Sequence, residues 1–158
     1  MSNERAPYTD SVEELLRQRA TLELATSSED GLPWLAAAYF AARDPFTLVM
    51  MLEREGRTMQ NIAANPRVAI LIQDGNPTAL FAQAEGVARM VEAENRAFAD
   101  LIAAKTPESA PLVRLPHLVG VQIDVQHYRL TDLPRGWLPA RDLRRPATRQ
   151  PVASPQRG

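Results

Sequence analysis

Apolar positions in this chain fall into short runs separated by turn signals, and only three stretches carry helical spacing. Thr21, Leu22, Leu24, Ala25 and Thr26 predict a first strand, and Ser28-Glu29-Asp30-Gly31 supplies the turn that closes it into a hairpin with residues 33–42. Arg43-Asp44-Pro45 turns the chain again. Residues 46–52 are almost wholly apolar, as expected of a strand covered on both faces. A β-branched run at 67–72 predicts a fourth strand, and residues 78–91 a long fifth with Gly86 as a bulge or bend. In a sixth, at 118–130, Val119, Val121, Ile123 and Val125 alternate with Gly120, Gln122, Asp124 and Gln126, which predicts one buried and one polar face.

The three helical stretches are short. Ser11-Val12-Glu13-Glu14 has the form of a capping box, ahead of a helix ending at about Gln18. Met59, Ile62 and Ala63 continue a helix begun at Gly56-Arg57-Thr58, and Asn65-Pro66 stops it because proline disfavours helical geometry in the residue before it. Residues 92–104 carry the third, followed by a connection with Pro107, Pro111 and Pro116. Together these elements predict a mainly β (α+β) fold, a six-stranded antiparallel barrel, closed or split, with short flanking helices. One domain spans 1–133. Residues 134–158 read as a tail rich in Pro and Arg, mobile or lying along a partner surface, with five arginines against Asp142 from Arg141 onward.

Composition narrows the chemistry. With 18 Lys+Arg against 19 Asp+Glu there is no overall field to recruit nucleic acid or an anionic membrane. Zero cysteines exclude disulfides, thiolate metal sites and a Cys nucleophile. No apolar run approaches the roughly 20 residues of a membrane span, and residues 1–10 lack the apolar core of a signal peptide. A cytoplasmic location is expected. Lys105 is the single lysine, and the Arg, Ala and Pro content suggests a GC-rich bacterial genome, so no single arginine is strong evidence of a site.

The most specific stretch is 54–70. A strand followed by Arg54, Gly56, Arg57 and Thr58 and then a helix would aim free N–H groups and guanidinium forks at one small volume, which suits an anion. The other reading is that Arg54 and Arg57 are solvated charges paired with Glu53 and Glu55. His117 and His127 are too far apart for a local pattern such as His-x-x-x-His, so no metal site is expected. No Gly-rich phosphate loop, Ser-x-x-Lys or Gly-x-Ser-x-Gly occurs.

The order strand, Gly31-Leu32-Pro33, strand, turn, strand, Gly56-Arg57-Thr58-x-x-Asn61-Ile62-x-x-Asn65-Pro66-Arg67-Val68, strand, then Glu85-Gly86 resembles the FMN-binding split barrel of the pyridoxamine 5′-phosphate oxidase-like superfamily, from about Leu15 to Leu130. The resemblance implies a homodimer with FMN in clefts at the subunit interface. It implies Ala36, Ala38 and Tyr39 at the flavin ring, Arg54, Arg57 and Thr58 at its phosphate, and Trp137 capping the ring, although Trp137 also reads as a hydrophobic anchor for the tail. Many members have Ser-Arg-Lys where this chain has Gly56-Arg57-Thr58, so a hydroxyl moves and an ammonium is missing. The basic and aromatic residues that bind vitamin B6 in the enzyme itself are not recognisable. The implied function is an FMN oxidoreductase passing hydride or electron pairs between a reduced nicotinamide and a small organic acceptor. The alternatives are a deazaflavin cofactor, a non-catalytic flavin- or haem-binding barrel with a histidine as haem ligand, and an interaction domain that docks an acidic partner through its tail.

Overall fold

A computed structural model describes residues 7–148. Six strands, β1 (Thr21–Ser27), β2 (Pro33–Asp44), β3 (Thr47–Glu53), β4 (Arg67–Ile72), β5 (Phe81–Met90) and β6 (Leu118–Asp132), pair antiparallel in the order β3-β2-β1-β4-β5-β6. β3 pairs back onto β6 and closes the barrel. The expected mainly β barrel is therefore the observed fold. Its interior is filled by side chains such as Leu22, Leu24, Phe40, Met50, Ile70 and Ile123. α1 (Thr9–Gln18) adds Val12, Leu15 and Leu16 to that core, and α2 (Arg57–Ala64) adds Met59 and Ile62.

The apolar run of β3 is covered on both faces, as its sequence predicts. Leu48, Met50 and Leu52 face the barrel core, whereas Val49 and Met51 join a second cluster with Phe98, Ala99 and Ile102 of α3 (Asn95–Lys105). The same helix changes the expectation for β6. Gly120 and Gln122 are buried rather than solvated, and α3 and the turn before it lie over Gly120. The Gly120 N–H donates to Asn95 Oδ1 at 2.6 Å, and a Cβ on Gly120 would stand 2.8 Å from the Phe98 ring. Gly86 does mark a bulge: Glu85 opposes His127 and Gly86 opposes Val125, so Gln126 is the extra residue. Backbone is so close there that a Cβ would lie 2.8 Å from the Asp124 carbonyl oxygen.

Three local expectations are corrected. α1 begins at Thr9, so Ser11 sits inside the first turn instead of capping it, and its Oγ accepts from Arg135 at 3.0 Å. β5 begins at Phe81, not Thr78, because Asn76 Oδ1 holds the Thr78 N–H at 3.0 Å and its hydroxyl at 2.8 Å in the preceding turn. The segment from residue 134 is not all tail: β7 (Trp137–Arg144) pairs antiparallel with β6. Pro134, Pro139, Arg141 and Arg144 give that segment the composition of a tail, and Leu143 alone of the strand is buried in the core. Residues 149–158, with the rest of the expected tail, lie outside the described residues, as do residues 1–6. Among the described residues no helix is long and apolar enough to cross a membrane.

Tyr128 is fully buried and its hydroxyl donates to the Pro45 carbonyl, tying β6 to the β2–β3 turn. Burial, reinforced by the nearby Asp44 carboxylate, pushes its phenol far above the ordinary tyrosine value. The unfolded chain therefore releases this proton above pH ~10 while the folded chain keeps it, so stability falls as pH rises past that point. Tyr128→Phe is expected to cost about 1–2 kcal/mol at pH 7 by orphaning the Pro45 carbonyl. Urea titrations at pH 7 and pH 11 test both points. The variant should lose less stability than wild type between those two pH values; an equal loss would show that Tyr128 is not the group responsible.

Candidate functional site

The site is built where β2 passes the start of α2. Gly56 caps α2 in extended geometry with no side-chain cap bond, and no acidic residue occupies the first turn. The first N–H groups of a helix have no intrahelical acceptor, so those of Arg57 and Thr58 are available to an anion. Two asparagines fix the direction of this helix. Asn61 Nδ2 donates to the buried Thr26 hydroxyl and Asn65 Nδ2 to the Ser27 hydroxyl, both at 3.0 Å. The Asn residues of the Asn-x-x-x-Asn-Pro stretch thus lock α2 to β1.

A cavity of about 300 Å³ opens beside that helix start. Ala36, Ala38 and Tyr39 line one side and Arg57 and Thr58 another, so five of the seven expected site residues meet there. The three consecutive alanines of β2 leave the strand backbone close to the cavity. The Arg57 guanidinium lies 4.2 Å above the Trp34 ring, a cation–π contact that limits where its fork can point. Glu53 is the opposing feature: its carboxylate folds back over Gly56, with Oε2 2.9 Å from where a Cβ would stand. Glu53 is exposed, so rotation outward frees the corner for an external anion.

Two expected residues are placed elsewhere. Arg54 pairs with Glu92 Oε1 at 2.8 Å and its N–H donates to the His117 carbonyl at 2.9 Å, which holds it at the β6 side of the turn, away from the cavity. Trp137 stands on β7, its ring 5.1 Å from Tyr8 in an edge-on contact and 5.1 Å from the Arg135 guanidinium. Trp137 therefore does not line this chain's cavity: β7 pairs with β6 beyond the closed barrel, and the ring packs against the segment entering α1. Neither histidine lines the cavity: His117 is exposed in the loop before β6, and His127 Nε2 sits 2.6 Å from Asp142 Oδ1. Leu112 and Val113 of α4 (Ala110–Val113) also form cavity wall, which the sequence reading missed. Pro111 in the first turn of that helix is the available signal, since proline is well suited to a helix start.

The comparisons with known proteins agree with this architecture. A family model described as pyridoxamine 5′-phosphate oxidase matches residues 8–131. The chain belongs to this family. Sequence comparison with curated proteins finds no match. Among solved structures, this pyridoxamine 5′-phosphate oxidase family member is similar to the conserved hypothetical protein Rv2991 from Mycobacterium tuberculosis, at 22% identity and TM-score 0.69 over 94% of this chain and 98% of that one. It is also similar to an F420 reductase, at 26% identity and TM-score 0.61 over 73% and 94%. A third relative is HutZ, the haem storage protein of Vibrio cholerae, at 20% identity and TM-score 0.59 over 74% and 89%. The fold thus hosts proteins with different cofactors.

Proposed function

We propose that this protein binds FMN at the cavity between β2 and α2 and acts as an oxidoreductase between a reduced nicotinamide and a small organic acceptor. The observation that carries this reading is the meeting, in one cavity, of a wall of small residues with a helix-start anion corner. Arg57 and Thr58 would hold the phosphate, since a guanidinium fork, a hydroxyl and free N–H groups match its oxygens. Ala36 and Ala38 leave room for a flat ring beside Tyr39, while Leu112 and Val113 keep water from that face. Bound FMN supplies the hydride and electron-pair chemistry, and the chain supplies position and shielding. No acid or base on the chain is required for that role.

A homodimer is part of the proposal. Leu35 opposes Ala25 on β1, and Ala25 opposes Ala69 on β4, so the three form an apolar strip across the outside of the sheet. Leu35 is 65% exposed and Leu32 56%, a concentration of apolar surface that suits a second copy of the chain. Ala37 and Tyr39, which share Leu35's face of β2, line the cavity, so a partner seated on the strip would close the cavity's open side.

A deazaflavin is the second reading, favoured by the F420 reductase similarity at 26% identity. Haem is disfavoured at this cavity because neither histidine lines it. Titration of the purified chain with FMN, followed by flavin fluorescence, is expected to saturate at one FMN per chain, and light scattering of the complex should give twice the 17.5 kDa chain mass. NADPH oxidation by the loaded protein then separates an oxidoreductase from a flavin carrier. Failure to take up FMN would overturn the proposal.

A further inference from the structure

A second cavity, of about 390 Å³, lies between α1, β2 and α3 and shares no lining residue with the first. Its apolar walls are Leu16 of α1, Ala41 and Ala42 of β2, Pro45 and Leu101, with Glu13, Arg17 and Asp44 also facing it. The one amine among its lining residues is the Nζ of Lys105, at the end of α3. This is the only lysine in a chain whose other basic residues are arginines. Its ammonium head is held by two contacts with one residue, a hydrogen bond to the Phe40 carbonyl at 3.2 Å and a position 3.5 Å from the centre of the Phe40 ring. Among the described residues it makes no ion pair.

We infer that this cavity captures a small apolar aldehyde, with the Lys105 amine forming an imine to the carbonyl carbon. The amine lone pair adds to that carbon, its proton passes to the oxygen, and departure of water leaves the C=N bond. Amine and aldehyde become imine and water, so neither oxidant nor reductant is needed. Arginine cannot take this role, because its guanidinium stays protonated and offers no lone pair. The apolar walls select the ligand's body and Lys105 its reactive end.

The amine is also prepared for the reaction. Burial lowers its pKa from 10.5 to about 8, against the opposing preference of the Phe40 ring and carbonyl for the charged form. The charged groups facing the cavity from its other walls are Glu13 and Arg17 on α1 and Asp44 at the end of β2. Asp44 Oδ1 accepts the Phe46 N–H at 2.8 Å, and on α3 itself Asp100 pairs with Arg114 at 2.7 Å. Burial therefore outweighs charge pairing at Lys105, and a substantial fraction of neutral amine is present near neutral pH.

The full chain, incubated at pH 7.5 with benzaldehyde and sodium cyanoborohydride, tests this by mass mapping of the reduced adduct. The expected result is benzylation at Lys105 at least about tenfold faster than on Nα-acetyl-lysine, which carries an ordinary lysine pKa, with a rate that saturates in benzaldehyde. Leu101→Trp, at a position 37% exposed, should fill the cavity mouth, abolish saturation and slow the labelling while leaving the amine in place. Labelling no faster than on the free amino acid, a rate linear in benzaldehyde, or a Leu101→Trp protein that labels like wild type would each overturn the inference. FMN binding is not involved in any of these readouts, so the result stands apart from the proposed flavin site.

Discussion

Arg57→Ala is expected to weaken FMN binding by about 1.5–3 kcal/mol, the scale of a charge-assisted hydrogen bond, which is roughly a tenfold to 150-fold rise in Kd. Its effect should be large because the site holds little other positive charge. With uncharged Gly56 and Thr58 beside it, and with Arg54 held by Glu92, Arg57 is the one cation lining the cavity. It also rests on Trp34, so its removal takes away both the charge and the ordered fork. Arg57→Lys should recover only part of the loss, since an ammonium is a point charge without the fork and stacks less well. Glu53→Gln should act in the opposite direction by removing the carboxylate that folds over Gly56. Fluorescence titration of the three variants checks the set. Equal affinity of Arg57→Ala and wild type would remove Arg57 from the site.

Much of this geometry was legible in the sequence because it depends on local spacing. The Asn65-Pro66 stop, the apolar run of β3 and the Ser28–Gly31 turn are each decided by residues close in the chain, and the turn takes the expected form, with Gly31 at φ +78° and the Leu32 N–H bonded to Ser28 Oγ at 3.1 Å. Five candidate residues meet for a similar reason: strand two and the start of the next helix had to be neighbours once the barrel order was known. Arg54 and Trp137 fall outside the cavity because their partners are distant in sequence. Nothing near Arg54 in sequence announces Glu92, and nothing near Trp137 announces Tyr8. The buried face of β6 was hidden likewise, since α3, distant in sequence, is what packs over Gly120. The short helix carrying Leu112 and Val113 was masked by prolines that read as loop.

Phe98→Ala is expected to cost about 3–5 kcal/mol of stability, the usual range for deleting a buried aromatic ring. Phe98 is fully buried between Val49 and Met51 of β3 and the close backbone at Gly120, where no replacement side chain can move in. Ala99 and Ile102, the Asn95–Gly120 hydrogen bond and the Lys105–Phe40 contact still hold α3, but none of them fills the space the ring leaves. Arg43 pairs with Glu94 at 3.1 Å at the surface, a bond worth about 0–1 kcal/mol, and its guanidinium sits 4.9 Å from the very ring that is removed. α3 should therefore loosen, and because Val113 belongs to the same cluster and also lines the cavity, the site should loosen with it. This links a core substitution to ligand binding in a way that can be measured. Thermal unfolding with and without FMN should show a lower Tm for the variant and, at one FMN concentration, a smaller FMN-induced rise than in wild type, since that rise follows the ratio of ligand to Kd. A lower Tm with an undiminished rise would mean that α3 supports the fold but not the cavity wall. A cost below about 1 kcal/mol, far short of what ring deletion in a packed core gives, would mean that α3 is held by something other than Phe98.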